Sequence, residues 1–184
     1  MNFYQKLFAA SITLLVIILF CVAPARSFQP GRDHLTDQEA DLVRDAQALD
    51  MRMDIFIKAA DRRVLQITNP NSLTPKQQQQ ETERFGELTG TRLDLLSDLA
   101  GILDEAITNI DDAASHTANA NRAKLLPKAL HKLAEASKRF ITELQPLREQ
   151  VQGQEREALE QALENAESIV QAESRLPSST QSTH

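Results

Sequence analysis

The chain has a single cysteine, Cys21, no tryptophan, one tyrosine, Tyr4, and only five glycines among its 184 residues. Each scarcity excludes something. One thiol cannot build a disulfide framework or a thiolate metal site. So few glycines leave no phosphate-cradling loop, and neither Gly-x-Ser-x-Gly nor His-Glu-x-x-His occurs, so no catalytic motif is present and no enzyme is expected. Aromatic residues make up 4% of the chain, while Leu, Ala, Glu, Gln, Asp and Arg dominate, which is the vocabulary of helices rather than sheets. A net charge of −6 argues against nucleic acid as a partner, because phosphate contacts need a concentrated positive surface.

What is present begins with one long apolar run at the amino end. Lys6 is the only charged side chain before Arg26, residues 7–23 are apolar, and Ala23-Pro24-Ala25 fits an A-x-A cleavage pattern. This predicts a signal peptide over residues 1–25. Ala25-Arg26-Ser27 offers a second cleavage site two residues on. The alternative is an uncleaved signal anchor, since the run approaches the roughly 17–25 residues that span a bilayer. Both readings place the remainder outside the cytoplasm, periplasmic or extracellular, because the positive amino end stays inside. Lipid attachment at Cys21 is disfavoured by Phe20, where a small residue is expected. Cleavage after Ala25 would leave 19 basic and 26 acidic side chains, a net charge of −7, and no thiol.

Residues 26–35, with Pro30 and Gly31, read as an extended lead, and residues 174–184 as a disordered polar tail, both outside the core. Residues 36–173 should form one all-α domain, an antiparallel up-down-up-down bundle of about four amphipathic helices. Thr36 and Glu39 form a capping box that opens the first helix, which should end before Asn69-Pro70-Asn71. Its stripe is Val43, Ala46, Met53, Ile57, Ala60, Val64 and Ile67, widened by Leu42, Leu49 and Phe56. Met51 reads as a surface residue and Met53 as a core filler. Thr74, Pro75 and Gln77 open the second helix, expected to run to about Ala114 with Phe85, Leu88, Leu95, Leu99, Ile102, Ala106 and Ile110 buried. Its surplus apolar residues leave the oligomeric state open. Gly86, Gly90 and Gly101 mark either weak helix positions or close approach and local unwinding around Thr89-Gly90-Thr91. The third helix follows a polar break at residues 115–121, with Pro146 expected to kink it. The fourth begins either at Pro146 or after Gly153.

Short connections imply that successive helices are adjacent and antiparallel. Residues of the first two helices whose numbers sum to about 142 should then share a level. This predicts a structural ion pair, Asp50 with Arg92, and a shared core layer for Phe56 and Phe85. The second helix is acidic over Asp94, Asp98, Asp104, Glu105, Asp111 and Asp112. The third is basic over Lys124, Lys128, Lys132 and Arg139 among others, so the two edges should face each other. The alternative is a basic interaction stripe, Lys124, Lys128, Lys132 and Arg139, open to an acidic surface or partner.

Metal and cofactor sites are not expected. None of His34, His116, His131 or His184 follows Glu by three positions, so the di-metal carboxylate pattern is missing, and there is no Cys-x-x-Cys-His for haem. Haem held between Met53 and His131 would need both on core faces, and His131 lies beside the Leu130–Leu133 seam. Asp112 and His116 alone would leave a metal mostly to water.

The run Asp41-Leu42-Val43-Arg44-Asp45-Ala46-Gln47, followed by Ile55-Phe56-Ile57-Lys58-Ala59-Ala60-Asp61-Arg62-Arg63, resembles the first helix of exported helical proteins from environmental bacteria. Ile110-Asp111-Asp112-Ala113-Ala114 and Leu126-Pro127-Lys128-Ala129-Leu130 are similar to further segments of that group. The resemblance implies an exported all-helical fold and brings no activity or site residues with it. The expected function is therefore non-enzymatic binding of a protein or surface partner in the cell envelope. The alternative is a small-molecule or cofactor carrier with a cavity between helices.

Overall fold

The computed structural model describes residues 33–115 and 120–176, with side chains from residue 125 onward in the second stretch. The predicted signal peptide or anchor, most of the extended lead and residues 177–184 lie outside the described residues. Among the described residues the chain is all-helical, with six α-helices, one 3₁₀ turn and no strand.

The first predicted helix is two. Helix α1 spans Asp37–Asp45 behind the expected Thr36–Glu39 capping box, and α2 spans Leu49–Thr68. Between them the Arg52 guanidinium donates to the Ala46 carbonyl from Nε at 3.3 Å and Nη2 at 3.1 Å, and to Asn109 Oδ1 at 2.8 Å. A side chain thus satisfies a carbonyl that a continuous helix would have used, and the break is stable.

The second predicted helix is also two. Helix α3, Pro75–Phe85, opens with the expected Thr74–Gln77 capping box and stops at Gly86, whose φ of 80° lies where only glycine sits without strain. Helix α4, Arg92–Ser115, restarts behind its own cap. The Thr91 N–H donates to Asp94 Oδ2 at 2.7 Å, and the Asp94 N–H donates to the Thr91 hydroxyl at 3.2 Å. Thr89-Gly90-Thr91 is therefore the unwound joint.

Helix α5 runs Ala120–Leu144. Pro146 does not kink it. The helix ends and tightens into a 3₁₀ turn, Gln145–Glu149, because a proline in the first turn of a new segment needs no N–H partner. Gly153, at φ +56°, turns the chain into α6, Gln154–Ser174.

The core is one apolar cluster, and Met53, Phe56, Leu96, Leu99, Ile102, Leu133, Phe140, Leu144, Leu159 and Leu163 are at most 1% exposed within it. Each such side chain contributes roughly 1.5–3 kcal/mol. Met51, in contrast, is 58% exposed. Leu35, placed by its sequence in a lead outside the core, belongs to the cluster. Helix α2 packs chiefly on α4 and α5, and α6 chiefly on the same two, whereas α4 and α5 touch each other less. Adjacency therefore does not simply follow chain order. Asp50 meets Lys128 and Asp54 meets Lys132, each at 2.7 Å, and Asp61 meets Arg139 at 3.2 Å. All three partners lie at the same offset in number, so α2 and α5 run side by side in the same direction.

Candidate functional site

Helix α3 is unusual because Phe85 is its only buried residue. Residues 75–80 are all exposed, so this helix has no apolar stripe to hold it down. It is pinned at its C-terminal end instead. The Thr36 hydroxyl donates to the Phe85 carbonyl, and Arg62 on α2 donates to the Phe85 carbonyl at 3.0 Å and to the Gly86 carbonyl. A guanidinium against the last carbonyls of a helix meets the negative end of its dipole. The Phe85 ring is ringed by cations, with Arg84 at 5.0 Å, Lys58 at 5.4 Å and Arg62 at 5.5 Å from its centre. The expected Phe56–Phe85 core layer does not form, since Phe56 is in the apolar cluster and Phe85 lies outside it.

Behind this pin lies a buried charge node. Glu39, fully buried, accepts from Arg62 and, at 2.6 Å, from Arg63. Arg63 also donates to the Ala59 carbonyl at 3.1 Å and to the His34 carbonyl at 2.8 Å. Burial pushes the Glu39 carboxyl up, but Arg63, the Thr36 N–H and Arg62 together hold it below its ordinary value. Burial lowers Arg62 from its ordinary value, with Glu39 opposing. The pattern was visible only as a capping box. The missed signal is Ala59-Ala60 before Arg62-Arg63, where two small side chains leave room for guanidinium groups in an inward-facing segment.

Between α2, α3 and the joint after it lies a cleft of about 370 Å³, lined by apolar Leu65, Leu73 and Leu88 and by Asp61, Arg62 and Glu81 among others. On the other side of α3 is a shallower groove of about 450 Å³ that includes Leu42, Met51, Ile55 and Phe85. Glu81 stands between the two. Its Oε1 accepts from Lys58 at 2.9 Å, while its Oε2 is buried without a hydrogen-bond partner, 3.6 Å from Arg62 Nε. Asp61 is pushed up by burial in spite of Arg139 beside it. Openings between the long helices are smaller, about 110 Å³ beside Leu49 and Ala113 and about 50 Å³ beside Leu130 and Ile169.

The predicted pair of Asp50 with Arg92 is not formed. Asp50 accepts from Lys128, whose hydrogen bond and charge hold the Asp50 carboxyl below its ordinary value against the opposing effect of burial. Arg92 donates to Glu155 on α6. The sum rule assumed one uninterrupted hairpin, and the short helix α3 with its joint removes that register. The basic stripe is largely committed, because Lys128, Lys132 and Arg139 face α2 rather than the acidic edge of α4. The side chain of Lys124 lies outside the described residues, as does His116.

One group among the described residues has metal-ligand spacing. His131 and Glu135, one turn apart on α5, and Glu173 on α6 bring a ligand atom each within 4.8 Å of one another. Lys138 already donates to Glu135 at 2.6 Å and Glu173 at 3.0 Å, so a divalent ion would have to displace an ammonium. Test patterns built on Glu-x-x-His could not see this group, because its third member comes from another helix.

No protein-family model, curated protein or solved structure matches the chain.

Proposed function

We propose that this is an exported, non-enzymatic binding protein of the cell envelope, related to the helical group its first helix resembles, and that it engages a protein or surface partner through the face around α3. The observation that carries this reading is a helix of 11 residues with one buried side chain, held at one end over a cleft. A helix with no inward face contributes little to folding, so its outward presentation has another use. The exposed Met51 in the neighbouring groove adds an adaptable apolar contact.

Export rests on Lys6, the apolar run of residues 7–23 and Ala23-Pro24-Ala25, with anchoring by that run as the variant reading. No helix of the described residues is long and apolar enough to cross a membrane. We further infer an up-down-up-down bundle formed by α2, α4, α5 and α6. In support, α2 and α5 share a constant offset, and Arg92 with Glu155 and Asn165 with the Ala100 carbonyl give α4 and α6 a nearly constant one. The His131–Glu173 and Arg148–Glu160 pairs fit opposite directions for α5 and α6. Among the described residues, the openings beside these long helices are about 110 and about 50 Å³, which favours partner binding over a carrier with an internal cavity.

Photoreactive residues placed singly at Met51, Gln78 and, as a control, Glu164 on α6 test the reading in cells. A discrete adduct from the first two and none from the third is expected. No adduct, or the same adducts from all three, would reject it.

A further inference from the structure

We infer that the cleft beneath α3 binds a primary ammonium carried on an aliphatic stem. This rests on the α3 face being the binding face. A volume of about 370 Å³ is within the roughly 300–1,000 Å³ of small-ligand sites. The cations that line the cleft are committed. Arg62 is spent on Glu39 and on the Phe85 and Gly86 carbonyls, and Lys58 donates to Glu81 Oε1.

One acceptor is left unmet. Glu81 Oε2 is buried without a hydrogen bond, and Arg62 Nε at 3.6 Å is close enough to attract it but too far to donate. Asp61, the second carboxylate of the cleft, is paired with Arg139 at 3.2 Å, and burial pushes it up. An ammonium is compact and offers three donors without an acceptor. Its stem would lie along Leu65, Leu73 and Leu88, whereas an anion would meet the Glu81 and Asp61 carboxylates. The same chemistry comes from a free alkylamine or from a lysine side chain of a partner.

Titration of the full chain with n-hexylamine and with Nα-acetyl-lysine amide, followed by calorimetry and amide NMR, tests the assignment. Saturable one-to-one binding with shifts centred on Leu65, Leu73 and Leu88 is expected, about tenfold or more weaker for hexan-1-ol and for Glu81→Gln, as for loss of a charged hydrogen bond. Binding of both amines points to a partner's lysine, and binding of hexylamine alone to a free amine. Leu73→Trp, in the exposed connection before α3, fills the cleft without touching the charge node and should abolish binding even if Glu81→Gln unfolds. Failure of both amines to bind, or equal binding of the alcohol, overturns the inference. Discrete crosslinks from Met51 and Gln78 with no amine binding would overturn this inference alone, and amine binding without crosslinks would overturn the protein-partner reading alone.

Discussion

Asp50 on α2 and Lys128 on α5 meet at 2.7 Å, and the same step in numbering recurs for Asp54 with Lys132 and Asp61 with Arg139. Two helices that run in one direction keep a constant difference between paired positions, so these acids and bases set the register of α2 on α5.

Lys132→Glu places a like charge beside Asp54 on this seam. A surface pair is worth about 0–1 kcal/mol, so the thermal midpoint should fall by roughly 2–4 °C. Adding Asp54→Lys should recover most of the loss, and 1 M salt should shrink the difference. Circular dichroism melts of the four proteins measure this, and no recovery in the double variant would remove the pair from the register argument.

Glu39→Ala leaves Arg62 and Arg63 buried around a missing counter-charge. Removing one partner of a buried ion pair costs about 3–5 kcal/mol. Urea unfolding at pH 7 should show that loss, with Arg84→Ala, an exposed neighbour, changing stability far less.

The same carboxyl fixes a pH dependence. Its folded value lies below the ordinary 4.5, so the unfolded chain binds its proton first as pH falls. The stability it contributes is present above pH 4.5 and disappears as pH drops through the lower folded value. Stability of the wild type should therefore decline below about pH 5, more steeply than that of Glu39→Gln. Parallel slopes for the two proteins would show that other carboxylates govern acid unfolding.

Gly101 allows the His34 ring to lie on α4, where His34 Nε2 is 2.7 Å from Glu105. A β-carbon there would stand 2.9 Å from His34 Cγ and 3.0 Å from its Cβ. Gly101→Ala should consequently destabilise the chain despite alanine's helix preference of about 1 kcal/mol. In a His34→Gly background, which removes both of those atoms, the sign should reverse, to a gain of about 1 kcal/mol. Thermal melts decide it, and stabilisation in both backgrounds would mean the histidine moves freely.

Phe85→Ala removes the ring that Lys58, Arg62 and Arg84 surround. Hydrogen exchange over residues 76–84 should accelerate by an order of magnitude or more while the protected amides of α4 and α6 change little. Uniform acceleration across all helices would place Phe85 in the common core instead.

The helical content, the Thr36 and Thr74 caps and the buried stripe from Met53 to Val64 were legible in the chain, because periodicity and capping are local properties, while the start of the last helix stayed open between Pro146 and Gly153. The breaks at residues 46–48 and 86–91 were less legible. The first depends on Arg52 bridging Ala46 to Asn109, far along the chain, and the second on Arg62 and Thr36 meeting the end of α3 from distant parts of the sequence. The candidate cleft was invisible for the same reason, since its walls come from α2, α3 and the joint that follows.

Local chemistry thus determined that the chain would be helical and where the Thr36 and Thr74 caps would open two of its helices. Tertiary structure alone decided that Lys128 serves Asp50, that Arg92 serves Glu155, and that α3 stands over a cleft. Apolar burial has no direction and accepts many neighbours, whereas charges and carbonyls taken out of water need particular partners at hydrogen-bond distance.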